Sequence, residues 1–200
     1  MKSEKGFTLI EMAVVLAIIA ILAAIMTPIV TTYIDQARSA TANNNVQAIS
    51  QAMLLHYRDT GRYAIWLTVG AANTNTSPAF DLLVSGSTAT LFSAPAGSSH
   101  NAWSGNVGLL KQLLNTNSLG YAVTTAGSGI AYRGPYLDGL DATDPWGNAY
   151  VVTSKFLAGN SANYAFVISA GPNQTLDTAM TQARTTTFST LSDDITSLIH

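Results

Sequence analysis

An unbroken apolar segment occupies residues 7–30, near the start of the chain. Its polar or helix-breaking interruptions are Thr8, Glu11, Thr27 and Pro28. At about 1.5 Å of rise per residue, a helix of this length spans about 36 Å, and the hydrocarbon core of a bilayer is about 30 Å thick. The segment therefore predicts a transmembrane helix. Pro28 removes a backbone donor and predicts a kink or a local unwinding within that helix.

Beyond this segment the apolar positions recur at steps of three and four residues, which is the period of an amphipathic helix. They are Val30, Ile34, Ala37, Val46, Ile49, Met53 and Tyr57, with one gap bridged by Thr41. Gly61 is a stop signal. The pattern predicts one helix over residues 7–59, with the amphipathic half (31–61) packed against a globular head formed by residues 62–200. His56, near the helix end, is expected at the surface or as a capping side chain.

Shorter apolar segments in the head predict a small sheet. Residues 150–153 and 164–169 have strand patterns, and residues 157–163 would join them as a hairpin. The predicted fold class is therefore α+β, with a long N-terminal helix packed on a small antiparallel β-sheet.

The middle of the head is less regular. The stretch 70–105 is rich in Ala, Ser, Thr, Asn and Gly and predicts an exposed polar insertion. Within and beside it, residues 80–84 and 88–92 fit either short strands or turns, and residues 107–114 predict a short helix.

Composition and charge restrict the function classes. Charged residues make up 10% of the 200 residues, the net charge is −2, and cysteine is absent. No nucleic-acid partner is expected from so few basic residues. Lys2 and Lys5 precede the apolar segment, and the next basic residue is Arg38, so the N-terminus is expected in the cytoplasm and the head outside. No converging set of catalytic side chains is visible, which makes a membrane-anchored enzyme the least favoured alternative.

Glu11 is the residue that most needs explanation, because a carboxylate within a bilayer costs about 2.5–3.5 kcal/mol. The sequence KGFTLIE at residues 5–11, followed by the apolar segment, resembles the processing site of type IV pilins and type II secretion pseudopilins. The resemblance implies that residues 1–6 are a leader, that a prepilin peptidase cleaves between Gly6 and Phe7, and that Phe7 becomes N-methylated. A secretory signal peptide has a shorter apolar core, and an ordinary signal anchor explains neither Gly6 nor Glu11.

The same resemblance implies an assembly role for Phe7, Glu11 and Pro28. Glu11 would pair with the Phe7 amine of a neighbouring subunit, giving a homopolymer in the form of a helical filament. The stretch around Pro28 would melt when the subunit leaves the membrane. The expected partners are an inner-membrane assembly platform, the prepilin peptidase and minor pseudopilins. The subunit would lie in the inner membrane as a single-pass protein before assembly and in a periplasmic or cell-surface filament afterwards.

Two further motifs favour one branch of this superfamily. YRGPYL at residues 132–137 and TDPWGNAY at residues 143–150 resemble the G-type major pseudopilin of type II secretion systems. The resemblance implies a structural turn made by Pro145, Trp146, Gly147 and Asn148, with Trp146 anchored on the core, leading into a β-sheet within residues 144–200. The alternative is the major pilin of a type IV pilus, used in adhesion, motility or DNA uptake, which the long polar insertion favours.

The last part of the chain carries candidate metal ligands. SAGPNQTLDT at residues 169–178 and SDDI at residues 192–195 resemble the calcium loop of G-type pseudopilins. The implied side-chain ligands are Asn173, Asp177, Asp193 and Asp194, with backbone carbonyls completing a shell of 6–8 oxygens. The spacing between the two loops is longer than in that family. A second interpretation stays open, in which these acids cap turns and a terminal helix.

Overall fold

The structure is a computed structural model in which the described residues are 6–64, 80–86, 107–115, 131–140, 142–157 and 161–199. Its contacts divide the chain into two compact units, Met1–Arg38 and Ser39–His200. The strand or turn expected at residues 88–92, and most of the polar insertion, lie outside the described residues.

The long N-terminal helix is confirmed, and α1 covers Leu9–Thr60. It ends where the Gly61 amide donates to the Tyr57 carbonyl at 2.7 Å. The φ of Gly61 is 70°, a left-handed conformation that glycine adopts without steric cost. The helix continues through Pro28, so local unwinding is absent from this structure, and the kink stays a prediction.

The part of α1 in the second unit buries one stripe of side chains. Its members are Ala42, Val46, Ile49, Ser50, Ala52, Met53, His56, Asp59 and Thr60. The centre of the predicted stripe is confirmed, but Ala42 rather than the exposed Thr41 fills the gap. The prediction for the last turn is wrong: Tyr57 is 45% exposed, whereas His56 is fully buried. Tyr57 stacks outside the core on Tyr63, with ring centroids 4.4 Å apart.

The strands of the described residues form one sheet. They are β1 Leu82–Val84, β2 Val107–Leu109, β3 Val151–Val152, β4 Phe166–Ser169 and β5 Ile195–Leu198. Their order is β2-β1-β3-β4-β5; β1 and β2 are parallel and the other pairs are antiparallel. All residues of β1, β3 and β4 are buried, and they share one hydrophobic core with the α1 stripe. The α+β prediction is therefore confirmed.

The pairing of β3 with β4 confirms the predicted hairpin, whose connection contains a 3₁₀ helix, Ser154–Leu157.

Two other local predictions need correction. The helix expected over residues 107–114 is wrong in its first half, because Val107–Leu109 pairs with β1 and only then does α2, Leu110–Asn115, begin. The alternative of a terminal helix is also wrong, because the residues after Asp194 form β5 against β4.

The YRGPYL motif packs over the end of α1. The Tyr132 hydroxyl donates to the Leu114 carbonyl at 2.9 Å. The Tyr136 ring meets the His56 ring edge-on, with centroids 5.4 Å apart. These aromatic rings cover His56, which explains why a polar residue at this position is buried.

Candidate functional site

The predicted processing and assembly site lies at the start of α1. Gly6 and Phe7 precede the helix, and Phe7 is 83% exposed. A Glu11 carboxylate oxygen accepts hydrogen bonds from the Thr8 amide at 2.8 Å and from the Thr8 hydroxyl at 2.7 Å. The Thr8 hydroxyl oxygen accepts from the Glu11 amide at 3.3 Å. This arrangement is a capping box, in which two side chains satisfy donors at the helix start.

Thr8 is a functional residue that the sequence reasoning missed, because it was counted only as a polar interruption. The signal was present as a threonine three residues before a glutamate at the start of an apolar helix. While Phe7 is still joined to Gly6, the Glu11 carboxylate is therefore hydrogen-bonded within its own chain.

The first half of α1 exposes a nearly continuous apolar surface. The exposed large side chains in this region are Phe7, Leu9, Ile10, Met12, Val14, Val15, Leu16, Ile18, Ile19, Ile21, Leu22, Ile25, Met26, Ile29, Val30, Tyr33 and Ile34. In the described part of the chain, α1 is the helix whose length and composition would allow it to cross a membrane. An apolar surface of this extent requires cover by lipid or by protein.

Pro28 interrupts the backbone hydrogen bonding of α1. It has no amide proton for the Ala24 carbonyl. Nearby hydroxyls bond to other carbonyls: Thr27 donates to the carbonyl four residues earlier at 2.7 Å, and Thr31 and Thr32 donate to the Pro28 carbonyl at 2.9 and 3.0 Å. These bonds lie on either side of the gap and do not replace the amide that the Ala24 carbonyl lacks.

Asp144 organises the predicted structural turn Pro145–Asn148. One of its carboxylate oxygens accepts from the amides of Trp146 at 3.1 Å and Asn148 at 2.8 Å. Gly147 has a φ of 97°, which suits glycine. Asp144 is 4% exposed, whereas Trp146 is half-buried and is not part of the hydrophobic core. The prediction that Trp146 anchors the turn on the core is therefore wrong, and the buried carboxylate holds it.

The two loops that carry the predicted calcium ligands lie side by side. The Asn173 amide donates to a carboxylate oxygen of Asp193 at 2.7 Å, and its side-chain amide donates to Asp177 at 2.8 Å. The Asn173 side-chain oxygen accepts from the Thr175 amide at 2.7 Å. The structure thus brings Asn173, Asp177 and Asp193 together, as the sequence predicted.

Asp194 is the buried member of this group, at 7% exposure. Its Oδ2 accepts from the amides of Asp177 at 3.0 Å and Thr178 at 2.6 Å. Its Oδ1 is buried and has no hydrogen-bond partner among the described residues. Burial raises the pKa of Asp194 to about 6, although the bonds to Thr178 and Asp177 act in the opposite direction. A buried carboxylate oxygen without a donor is costly unless a cation or a proton occupies its open side.

The long segment between the two acidic loops, residues 179–190, is closed at its base by hydrogen bonds, and we call it the excursion. At its base the Leu191 amide donates to the Thr178 hydroxyl at 3.0 Å. Further out, the Gln182 side chain donates to the Ser189 carbonyl at 2.7 Å and accepts from the Ser189 amide at 2.8 Å. Residues 179–190 therefore leave and return at the same place, and the added length does not separate the loops.

A calcium ion at this place would need oxygen atoms of mixed origin. Within the described ranges, no group of three or more carboxylate or imidazole side chains forms a metal site by itself. Calcium accepts backbone carbonyls as readily as carboxylates and takes 6–8 oxygens. Among the described residues, Asp194 Oδ1 is a buried side-chain oxygen without a hydrogen-bond partner. A calcium site here would therefore use Asp194 and need backbone carbonyls to complete its shell.

Comparison with known proteins gives two similarities. Residues 1–27 match the family model described as the prokaryotic N-terminal methylation motif. The chain is 39% identical over 62 residues to the type II secretion system core protein G of Pseudomonas aeruginosa, which covers 31% of this chain and 44% of that protein. The chain thus aligns with less than half the length of this relative. No solved structure matches it significantly.

These similarities agree with the α+β architecture and with the geometry at the helix start. The motif contains the predicted cleavage position and Glu11. The motif and the similarity confirm the predicted resemblance to the type IV pilins and pseudopilins, and within them to the G-type pseudopilins.

Proposed function

We propose that this chain polymerises through α1 into a helical filament and serves as the major pseudopilin of a type II secretion pseudopilus. The observation that carries the proposal is the exposed apolar half of α1 with one hydrogen-bonded carboxylate at its start. The similarity to a type II secretion core protein G supports the secretion branch. The role is structural, and the energy for assembly comes from other proteins.

Processing precedes assembly in this proposal. The prepilin peptidase cleaves between Gly6 and Phe7, which lie before the first helical residue, and methylates Phe7. The first half of α1 holds the subunit in the inner membrane with its N-terminus in the cytoplasm. The assembly platform then moves the subunit into a periplasmic filament, with minor pseudopilins as further partners.

Cleavage changes what Glu11 can bind. The new α-ammonium group of Phe7 is a charged donor, whereas the Thr8 groups that now bind Glu11 are neutral. Two opposite charges in an apolar environment attract strongly when paired, and either one alone is costly. Each subunit carries one of each, so pairing between neighbours is head-to-tail and generates a helical filament when the rotation does not close. Glu11 thereby sets the register between neighbouring helices.

The test uses a variant that removes the charge and keeps the cap. Glu11→Gln retains the capping box, because glutamine also accepts from the Thr8 amide. We expect normal insertion in membrane fractionation and a loss of filaments of at least tenfold. Asp35→Asn is the matched control, since it removes another carboxylate from α1, one that is 70% exposed and 3.8 Å from Arg38. Normal filament yield from Glu11→Gln contradicts the proposal.

The alternative function is the major pilin of a type IV pilus. The polar insertion at residues 70–105 and the excursion at residues 179–190 favour it, because surface fibres carry more exposed decoration. Electron microscopy of cells at native expression separates the two functions. Long fibres beyond the outer surface support the pilin, and their absence together with lost secretion in a deletion strain supports the pseudopilin.

We also propose that calcium holds the C-terminal loops, with Asp194 as the central ligand. Asn173, Asp177 and Asp193 surround it, and the ion's positive charge stabilises the buried carboxylate. Calcium at 100 times its Kd stabilises a protein by about 2.7 kcal/mol, which corresponds to roughly 5–10 °C in Tm for a chain of this size. We expect EDTA to lower the Tm of the full chain in detergent micelles by this amount.

The matched variants are Asp194→Asn, which should remove the calcium effect, and Asp138→Asn, an exposed acid in another turn, which should keep it. If EDTA leaves the Tm of the unmodified chain unchanged, the calcium proposal is wrong.

A further inference from the structure

A buried hydrogen bond joins the structural turn to the start of the candidate calcium loop. The Ser169 hydroxyl donates to Oδ2 of Asp144 at 2.6 Å. Ser169, the last residue of β4, is fully buried, and Asp144 is 4% exposed. Two amides of the turn occupy Oδ1 of the same carboxylate. Asp144 therefore binds the turn with one oxygen and the end of β4 with the other.

This hydrogen bond also determines that the Ser169 oxygen acts as an acceptor toward the loop. A serine hydroxyl has one proton and two acceptor lone pairs. Because the proton points to Asp144, the lone pairs face other donors, and the Gly171 amide donates to them at 3.4 Å. The short contact to a carboxylate is of the strong, charge-assisted kind. The first residue of the loop turn is thus positioned from Asp144 through Ser169.

Gly171 lies against the backbone of the second loop. Its φ is 65°, and a Cβ at this position would lie 2.9 Å from the carbonyl carbon of Asp193 and collide with its oxygen. Asp193 in turn accepts from the Asn173 amide at 2.7 Å, and the next residue is Asp194. Gly171 therefore packs one residue away from Asp194, whose Oδ1 has no hydrogen-bond partner among the described residues.

We infer that Asp144 and Ser169 are positioning residues for the C-terminal loops, setting the place of Gly171 and through it the calcium affinity of Asp194. The calcium part of this inference rests on the proposed function. The positioning part stands on the hydrogen bonds and applies with or without the ion. Groups that orient metal ligands typically change metal affinity by 10- to 100-fold when they are removed.

The experiment compares two serine-to-alanine variants of the full chain in detergent micelles. Ser169→Ala removes the link, and Ser154→Ala is the matched control. Ser154 is also fully buried, and its hydroxyl donates to the Phe80 carbonyl at 2.9 Å rather than to a residue of the turn or the loops. The first measurement is amide hydrogen exchange in EDTA. We expect Ser169→Ala to accelerate exchange at Asn173, Asp177 and Thr178 by at least tenfold, and Ser154→Ala to leave these amides unchanged.

The second measurement is calcium affinity by isothermal titration. We expect Ser169→Ala to weaken binding about tenfold, Asp144→Asn to weaken it similarly, and Ser154→Ala to match the unmodified chain. Equal exchange rates in the two serine variants overturn the positioning inference. Accelerated exchange with no heat of calcium binding in the unmodified chain overturns the calcium proposal and leaves the positioning inference supported. Equal calcium affinities with accelerated exchange overturn the link between positioning and affinity.

Discussion

Gly171→Ala is expected to be among the most damaging single substitutions in the C-terminal loops. Two costs add at this position. A non-glycine residue at a φ of 65° costs about 1–2 kcal/mol. The added methyl group also meets the backbone of Asp193 at distances that real Cβ atoms essentially never show. Backbone atoms cannot rotate away as a side chain can, so the two loops must separate.

The steric part can be isolated with a second glycine. Gly139 also has a left-handed φ, 78°, but a Cβ there meets nothing within 4 Å. Gly139→Ala therefore carries only the conformational cost of about 1–2 kcal/mol. Overpacking adds about 1–3 kcal/mol, which brings Gly171→Ala to about 2–5 kcal/mol. Since domains are stable by about 5–15 kcal/mol, this is a large fraction of the total.

The assay is urea unfolding of the full chain in detergent micelles, followed by tryptophan fluorescence, with both variants measured in EDTA. Working without calcium separates the packing argument from the calcium proposal. We expect Gly171→Ala to lose at least 1 kcal/mol more unfolding free energy than Gly139→Ala. Equal losses would refute the close packing of Gly171 against Asp193.

Two further predictions concern the core and the excursion. Burial lowers the pKa of His56 below its usual 6.5, against the opposing effects of the Arg62 carbonyl and Asp59. As pH falls below about 6.5, the unfolded chain therefore binds a proton that the folded chain resists, and the contribution of His56 to stability should decrease by up to about 1.4 kcal/mol per pH unit. The raised pKa of Asp194 contributes the opposite slope in both chains. Between pH 7 and pH 5, His56→Gln should therefore lose less unfolding free energy in urea than the unmodified chain, and parallel curves would contradict this. Phe188→Ala should lower the unfolding free energy by about 2 kcal/mol, roughly half the value for a fully buried phenylalanine. The reason is that the Phe188 ring packs edge-on against the Phe166 ring, with centroids 5.1 Å apart. A loss of unfolding free energy below about 0.5 kcal/mol would mean that Phe188 does not anchor the excursion.

Sequence periodicity predicted the elements whose stabilising contacts are local. The bounds of α1 differ from the prediction by two residues or fewer at each end. The prediction is accurate because the helical repeat of 3–4 residues recurs many times along this segment. Strand β2 was missed because its ladder partner, β1, lies far earlier in the chain. Strand β5 was missed for the same reason, since ITSL has no strong strand signal until β4 lies beside it. Non-local hydrogen bonds cannot be read from a local pattern.

The candidate sites, too, were predicted where a sequence motif marks them and missed where their geometry depends on residues far apart in the chain. Motif resemblance predicted Gly6, Phe7 and Glu11, and it predicted which four side chains gather in the C-terminal loops. It did not predict that Asp194 alone would be buried, because burial depends on the path of the excursion between the loops. It also implied that Trp146 anchors the turn Pro145–Asn148 on the core. The structure assigns the turn to Asp144, whose two oxygens make three hydrogen bonds within the described residues.

The end of the chain is held without a covalent link, since cysteine is absent. The Ser50 hydroxyl of α1 donates to the Leu198 carbonyl at 2.8 Å, and the Ile199 amide donates to the Ala165 carbonyl at 2.9 Å. Each such bond contributes about 1 kcal/mol, whereas a disulfide typically contributes 2–4 kcal/mol. The proposed calcium ion would add about 2.7 kcal/mol at 100 times its Kd, which is within the range that a disulfide typically contributes.

A disulfide and a bound calcium ion respond to different conditions. A disulfide depends on the oxidising power of the compartment, whereas stabilisation by calcium follows the calcium concentration around the head. The ion would act through Asp194, next to β5, and β5 is an edge strand that pairs only with β4 in the described sheet. A bound ion would add to the hydrogen bonds that already hold this strand against β4. In the proposed topology the head would reach full stability only after it has crossed the membrane, where the filament is built.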